Sequence, residues 1–114
     1  MKDRKDHDIS TITTTVSSPA DARKLAHLVL ESRLAACVQV ESGITSYYRW
    51  KGDLCEEPET RLVIKTLPEC SGALEALLSE AHPYELPQWL AAREQASAAY
   101  AGWVRAEVSV PIAP

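Results

Sequence analysis

The chain has 114 residues, with 12 Lys and Arg against 16 Asp and Glu, 3 His and 3 Cys. This length is one domain, and a net charge of −4 with scattered basic residues disfavours nucleic acid, whose phosphates reward clustered Lys and Arg. Three cysteines without a Cys-x-x-Cys pair encode neither a disulfide framework nor a closed zinc site, and their odd number fits reduced thiols in the cytoplasm.

Met1 to Asp8 mixes charges of both signs and leads into no apolar segment. It reads as a disordered tail over residues 1–9, not as a leader or a membrane anchor. One domain is expected over 10–108, followed by a C-terminal tail over 109–114. Ser10 to Val16 is a β-branched run with Ile12, Thr14 and Val16 on one face, which predicts a strand. Ser18 then supplies an N-cap, Pro19 the first helical position and Asp21 an acid in the first turn. Ala22, Leu25, Ala26, Val29 and Leu30 keep the spacing of one buried helical stripe.

From Leu34 the period is two, with Leu34, Ala36, Val38 and Val40 opposite Ala35, Cys37, Gln39 and Glu41. Ser42-Gly43 interrupts this pattern, but β-formers resume through Trp50, so a bulge in one long strand is expected. Lys51-Gly52-Asp53 is the hairpin reversal. The return strand alternates Leu62, Ile64 and Thr66 with Arg61, Val63 and Lys65, and Pro58 confines its first part to an edge. Thr66-Leu67-Pro68-Glu69 has capping-box spacing and opens a second helix, whose stripe is Cys70, Ala73, Leu74, Leu77, Leu78 and Ala81 and which Pro83 stops. Residues 89–100 read as helical by propensity alone, without a defined face. The order strand, helix, strand, strand, helix is a split β-α-β arrangement that needs a last strand near Leu86 to Gln95. Right-handed crossovers then place both helices on one sheet face and leave the other bare.

Arg33-Leu34-Ala35-Ala36-Cys37-Val38, the run from Gly43 through Tyr47-Tyr48-Arg49-Trp50-Lys51-Gly52, and His82-Pro83-Tyr84-Glu85-Leu86-Pro87 together resemble the CutA divalent-cation tolerance family. Glu59 to Thr66 and Tyr100-x-x-Trp103 fall in the expected order, so the resemblance runs from about Thr13 to Val104. It implies an α+β, ferredoxin-like split β-α-β sandwich with a long β2–β3 hairpin and a short C-terminal helix. It also implies a homotrimer and a role in tolerance of copper and other divalent ions through weak metal binding, with no obligatory cofactor and no enzymatic activity. By the same analogy residues 88–95 form a strand and Ser97 to about Ala106 a helix. The family's trimeric architecture is similar to that of the PII signalling proteins. The alternative function is therefore a sensor holding a small anionic metabolite in intersubunit clefts.

His82, with Glu85 three residues on, is the metal candidate by donor chemistry; the competing reading is a histidine closing the helix end. Cys37 resembles the family cysteine implicated in binding soft metals, and a small buried contact residue is its other reading. Glu56, Glu57 and Glu59 could gather divalent ions or could guard a strand edge. Lys65, Arg61, Tyr48, Trp50, Tyr84 and Glu59 are candidates for a ligand cleft at a subunit boundary, with interface packing as the plainer account. No nucleophile elbow or glycine-rich phosphate loop is present, and no exposed motif points to a partner protein.

Overall fold

The computed structural model describes residues 7–111. The elements are β1 (Asp8–Val16), α1 (Pro19–Glu31), β2 (Cys37–Trp50), β3 (Asp53–Thr66), a 3-10 turn (Pro68–Cys70), α2 (Ser71–Ala81), β4 (Leu90–Gln95) and α3 (Ala98–Glu107). The strands form one antiparallel sheet in the order β2-β3-β1-β4. Of the tails expected at the ends, residues 1–6 and 112–114 lie outside the described residues. Asp8 and Ile9 instead belong to β1, because Ile9 is buried and Asp8 pairs with Gln95. Ser109 is tied down by its N–H, which donates to the Arg33 carbonyl at 2.7 Å.

The helix start at Ser18 forms as its residues dictate: Ser18 Oγ accepts from Asp21 N–H at 3.1 Å, with Pro19 in the first turn. Ala22, Leu25 and Val29 bury against Ile12, Val16, Leu62 and Ile64, and α2 adds Leu74 and Leu78. Leu30 departs from the expected stripe and is exposed. A second, smaller core gathers Ile9, Leu67, Cys70, Ala101, Val104 and Val108. Alternation puts Ile9 on the face opposite Ile12, so α3 covers one end of the face that α1 and α2 leave open. The remainder of that face carries Thr13, Arg61, Val63, Lys65, Cys37 and Gln39, aligned by register.

Two local expectations change. The strand expected from Leu34 begins at Cys37, because Arg33 takes a left-handed φ of 62° after α1 and sends Ala35 into the main core. The capping box does not form. Thr66 Oγ1 donates to the Leu34 carbonyl at 2.6 Å and Glu69 is ion-paired with Arg105 at 2.9 Å, so both side chains are committed to tertiary partners. Residues 90–95 form the last strand that the topology requires and the family resemblance implies, their helical propensity giving way to the ladder of backbone partners along β1.

The long hairpin follows the sequence reading closely. Lys51 and Gly52 have φ of 50° and 88°, a two-residue reversal between Trp50 and Asp53. The register shifts between Glu41 and Ile44, one extra residue in β2, with Gly43 at φ 82°. Since β1 ends opposite Thr60, residues 53–59 of β3 pair with β2 alone, and Pro58 falls in that stretch. The ribbon therefore leaves the sheet and stretches the molecule to 53 × 27 × 24 Å. Its radius of gyration of 15.3 Å exceeds the roughly 13 Å of a compact domain of this length.

Leu62→Ala, at a fully buried position, is expected to cost about 2–5 kcal/mol. Gly43→Ala should cost only about 1 kcal/mol, from the left-handed backbone alone, since an added Cβ there meets nothing within 4 Å. Unfolding midpoints at matched protein concentration check both values. A Gly43→Ala loss as large as that of Leu62→Ala would show that the bulge carries a contact the backbone account omits.

Candidate functional site

Because the ribbon stands clear of β1, its inner side faces the connector between α2 and β4. The two enclose a groove of about 860 Å³. Tyr48, Trp50, Glu57 and Glu59 come from the ribbon, and Tyr84, Glu85 and Leu86 from the connector. After the bulge, alternation puts Ile44, Ser46 and Tyr48 on the same side as Glu59, Glu57 and Cys55, so this side of the ribbon is both aromatic and acidic. Among the described residues no lysine or arginine lines the groove.

His82 closes α2 and fastens the connector beneath the groove. It takes an extended backbone (φ −70°, ψ 135°), as the residue before a proline prefers, and its side chain is only 8% exposed. Nδ1 accepts from Tyr84 N–H at 3.1 Å, while Nε2 lies 2.9 Å from the Thr15 carbonyl and 3.0 Å from Thr14 Oγ1. Those partners select the neutral tautomer with the proton on Nε2, which donates to Thr15. Burial pushes His82 below its ordinary pKa, against the opposing pull of the Thr15 carbonyl and of Glu59 and Asp21. Both ring nitrogens are thus engaged in holding the connector to β1.

Tyr84 carries this anchorage to the ribbon. Its ring packs edge-on to His82 at 5.0 Å, and its hydroxyl donates to Glu59 Oε2 at 2.8 Å. Burial, then that hydrogen bond, pushes the Tyr84 phenol far above its ordinary value. Burial also works against ionisation of Glu59, but hydrogen bonds from Ser46, Tyr84 and Thr15 outweigh it and hold the carboxyl below its ordinary range. Glu59 is therefore a fixed negative charge at neutral pH. At the rim, Lys51 Nζ stands 3.8 Å from Glu85 Oε2 and 5.7 Å from the Trp50 ring centroid.

The groove brings together Tyr48, Trp50, Tyr84, Glu59 and Glu85 from the residues singled out in the sequence. Arg61, Lys65 and Cys37 do not line the groove: Arg61 and Lys65 follow Glu57 and Glu59 on the same side of β3 but nearer its C-terminal end, where Arg61 is ion-paired with Glu41 at 3.2 Å and Cys37 stands opposite Lys65. His82, Cys37 and Glu85 do not converge within one chain. Among the described residues no group of three or more His, Cys, Asp and Glu is arranged to hold a metal ion. Sequence reasoning missed Thr14, Thr15 and Ser46, which bind His82 and Glu59. The only signal for the threonines was that polar residues continue through a strand whose neighbours are buried.

The family profile described as CutA1 divalent ion tolerance protein matches residues 10–107. The chain belongs to this family. It is 36% identical over 95 residues to the divalent-cation tolerance protein CutA of Thermus thermophilus, covering 82% of this chain and 92% of that protein. It is 38% identical over 98 residues to human protein CutA, covering 85% of this chain and 55% of the human protein. The solved structure of CutA from Synechococcus elongatus superposes with a TM-score of 0.86 at 38% identity, covering 90% of this chain and 92% of that one. The family profile and the Thermus relative are both named for tolerance of divalent ions. Among the described residues no helix is long and apolar enough to cross a membrane.

Because His82 is held neutral, the folded chain binds fewer protons than the unfolded one as pH falls below about 6.5. Stability should therefore be full above that pH and decline through the window below it, whereas His82→Gln should lack this part of the decline. Glu59, with its pKa lowered, adds a separate loss below about pH 4.5. Urea midpoints of wild type and His82→Gln from pH 4 to 8 test this. Parallel curves between pH 7 and 5 would show that His82 does not titrate as its burial requires.

Proposed function

We propose that this chain is a cytoplasmic, non-enzymatic divalent-cation tolerance protein that works as a homotrimer and binds metal weakly. The observation that carries the reading is the groove itself, walled by Glu57, Glu59 and Glu85 and, among the described residues, by no lysine or arginine. Spaced carboxylates that do not form a compact ligand set attract hard divalent ions without enclosing them, which is the chemistry of weak, exchangeable binding. Copper adds a softer demand. Cys37, half-buried on the open sheet face, offers a sulfur ligand suited to Cu(I) if a neighbouring subunit completes the site. His82 contributes through the connector it holds, because ligation would break its hydrogen bonds to β1 or to Tyr84.

The strand order β2-β3-β1-β4, with α1 and α2 as the crossovers, supports the ferredoxin-like reading. Trimerisation is supported by the partly uncovered sheet face, by two free sheet edges and by Tyr47 and Leu54, 73% and 78% exposed on the projecting ribbon. An anionic metabolite has less in its favour, since the cations assigned to it, Arg61 and Lys65, stand outside the acidic groove.

Light scattering should give about three times the 12.5 kDa chain mass. A metal that binds only the native state should raise the thermal midpoint, by about 2.7 kcal/mol of stability at one hundred times its Kd. The Glu57→Gln, Glu59→Gln, Glu85→Gln triple variant should lose the Zn²⁺ response, while Cys37→Ser should weaken Cu(I) alone. An unchanged Zn²⁺ response in the triple variant would overturn the groove as the metal site, and a stable monomer would overturn the trimer.

A further inference from the structure

The groove carries negative charge that no ion pair among the described residues fully neutralises. Glu85 is ion-paired with Lys51, but among the described residues neither Glu57 nor Glu59 has a cationic partner. Glu59 is held only by neutral donors, Tyr84, Ser46 and Thr15. Such a carboxylate is fixed in place and still attracts a cation, because uncharged hydrogen bonds orient it without cancelling its field.

Lys51 shows which kind of cation these walls accept. Its ammonium rests between the Trp50 ring and the Glu85 carboxylate at the rim, the pairing of aromatic face and acceptor that recognises an alkylammonium group. A hydrated metal ion can use the carboxylates but gains nothing from Tyr48, Trp50 and Tyr84. An alkylammonium chain uses both kinds of surface: its N–H groups donate to carboxylates while its methylenes cover the rings. We propose that the groove binds a linear aliphatic polyamine, with one ammonium group against Glu57 and Glu59 and another displacing Lys51 from Glu85 and Trp50. This occupant shares the groove with the metal reading but does not rest on it.

Calorimetric titration of the full chain at low salt with spermidine, n-pentylamine and Mg²⁺ tests the proposal. Spermidine should bind once per chain, with n-pentylamine at least about tenfold weaker for want of a second ammonium group. Glu57 is exposed, so Glu57→Gln leaves the fold intact and should weaken spermidine about tenfold. Trp50→Leu should weaken spermidine without weakening Mg²⁺. Lys51→Ala should tighten amine binding by removing the internal competitor, whereas Lys24→Ala, the same charge loss on α1, should leave it unchanged.

No spermidine binding, wild-type affinity in both Glu57→Gln and Trp50→Leu, or equal tightening by Lys51→Ala and Lys24→Ala would each overturn the proposal. Zn²⁺ stabilisation without spermidine binding removes this inference alone. Spermidine binding with no metal response supports it and removes the metal reading instead.

Discussion

β3 is paired on both sides along only half its length, and the rest of the structure depends on that asymmetry. Ser18 and Pro19 begin a helix just after β1, so β1 stops opposite Thr60 while β2 continues beside β3 to the reversal at Lys51-Gly52. Over residues 60–66 the paired strands supply Leu62 and Ile64 to a core sealed by α1 and α2. Among the described residues no third strand or helix covers the ribbon beyond Thr60, so its side chains have no core to enter. The same seven-residue shortfall in β1 makes the core at one end and the groove at the other.

The groove has shape only because the connector after α2 is held to the sheet. His82 provides that hold by placing one ring nitrogen on β1 and the other on the Tyr84 backbone. Tyr84 then reaches the ribbon through Glu59. The chain of contacts Thr15, His82, Tyr84 and Glu59 joins β1, the connector and β3 through side chains that are wholly or partly buried. Its energetic cost is the removal of a histidine and a carboxylate from water, offset by hydrogen bonds to each. A neutral histidine and an ionised glutamate are the protonation states those bonds select, and together they leave the groove anionic.

Where the sequence was read correctly, the signal was local. The cap at Ser18, the alternation in β3, the bulge at Gly43 and the reversal at Lys51-Gly52 each follow from residues within a few positions of one another. The misreadings occurred where a distant partner outweighed local preference. Thr66 and Glu69 have the spacing to cap a helix, but Leu34 and Arg105 take their side chains. For residues 90–95 local propensity favours a helix, while the topology and the family resemblance require the strand that pairs along one side with β1. Leu34 to Ala36 alternate like a strand, but the left-handed turn at Arg33 directs Ala35 into the core. The ribbon and the connector that line the groove both carry the family motifs.

By itself the sequence determined the element types, the hairpin, the bulge and the family, because each is written in the spacing of neighbouring residues or in short motifs. Only the tertiary structure decided which of the marked residues share a site. Tyr48, Trp50, Glu59, Tyr84 and Glu85 meet in one groove. Arg61 and Lys65 share a side of β3 with Glu57 and Glu59 but lie further along the strand, where it is paired on both sides, and Cys37 stands opposite Lys65, so none of the three lines the groove. It also placed the two nitrogens of His82 against β1 and the Tyr84 backbone, by contacts across 67 and 2 residues of chain. Separations so unequal leave no pattern in a sequence, since a hydrogen bond depends on distance in space and not along the chain.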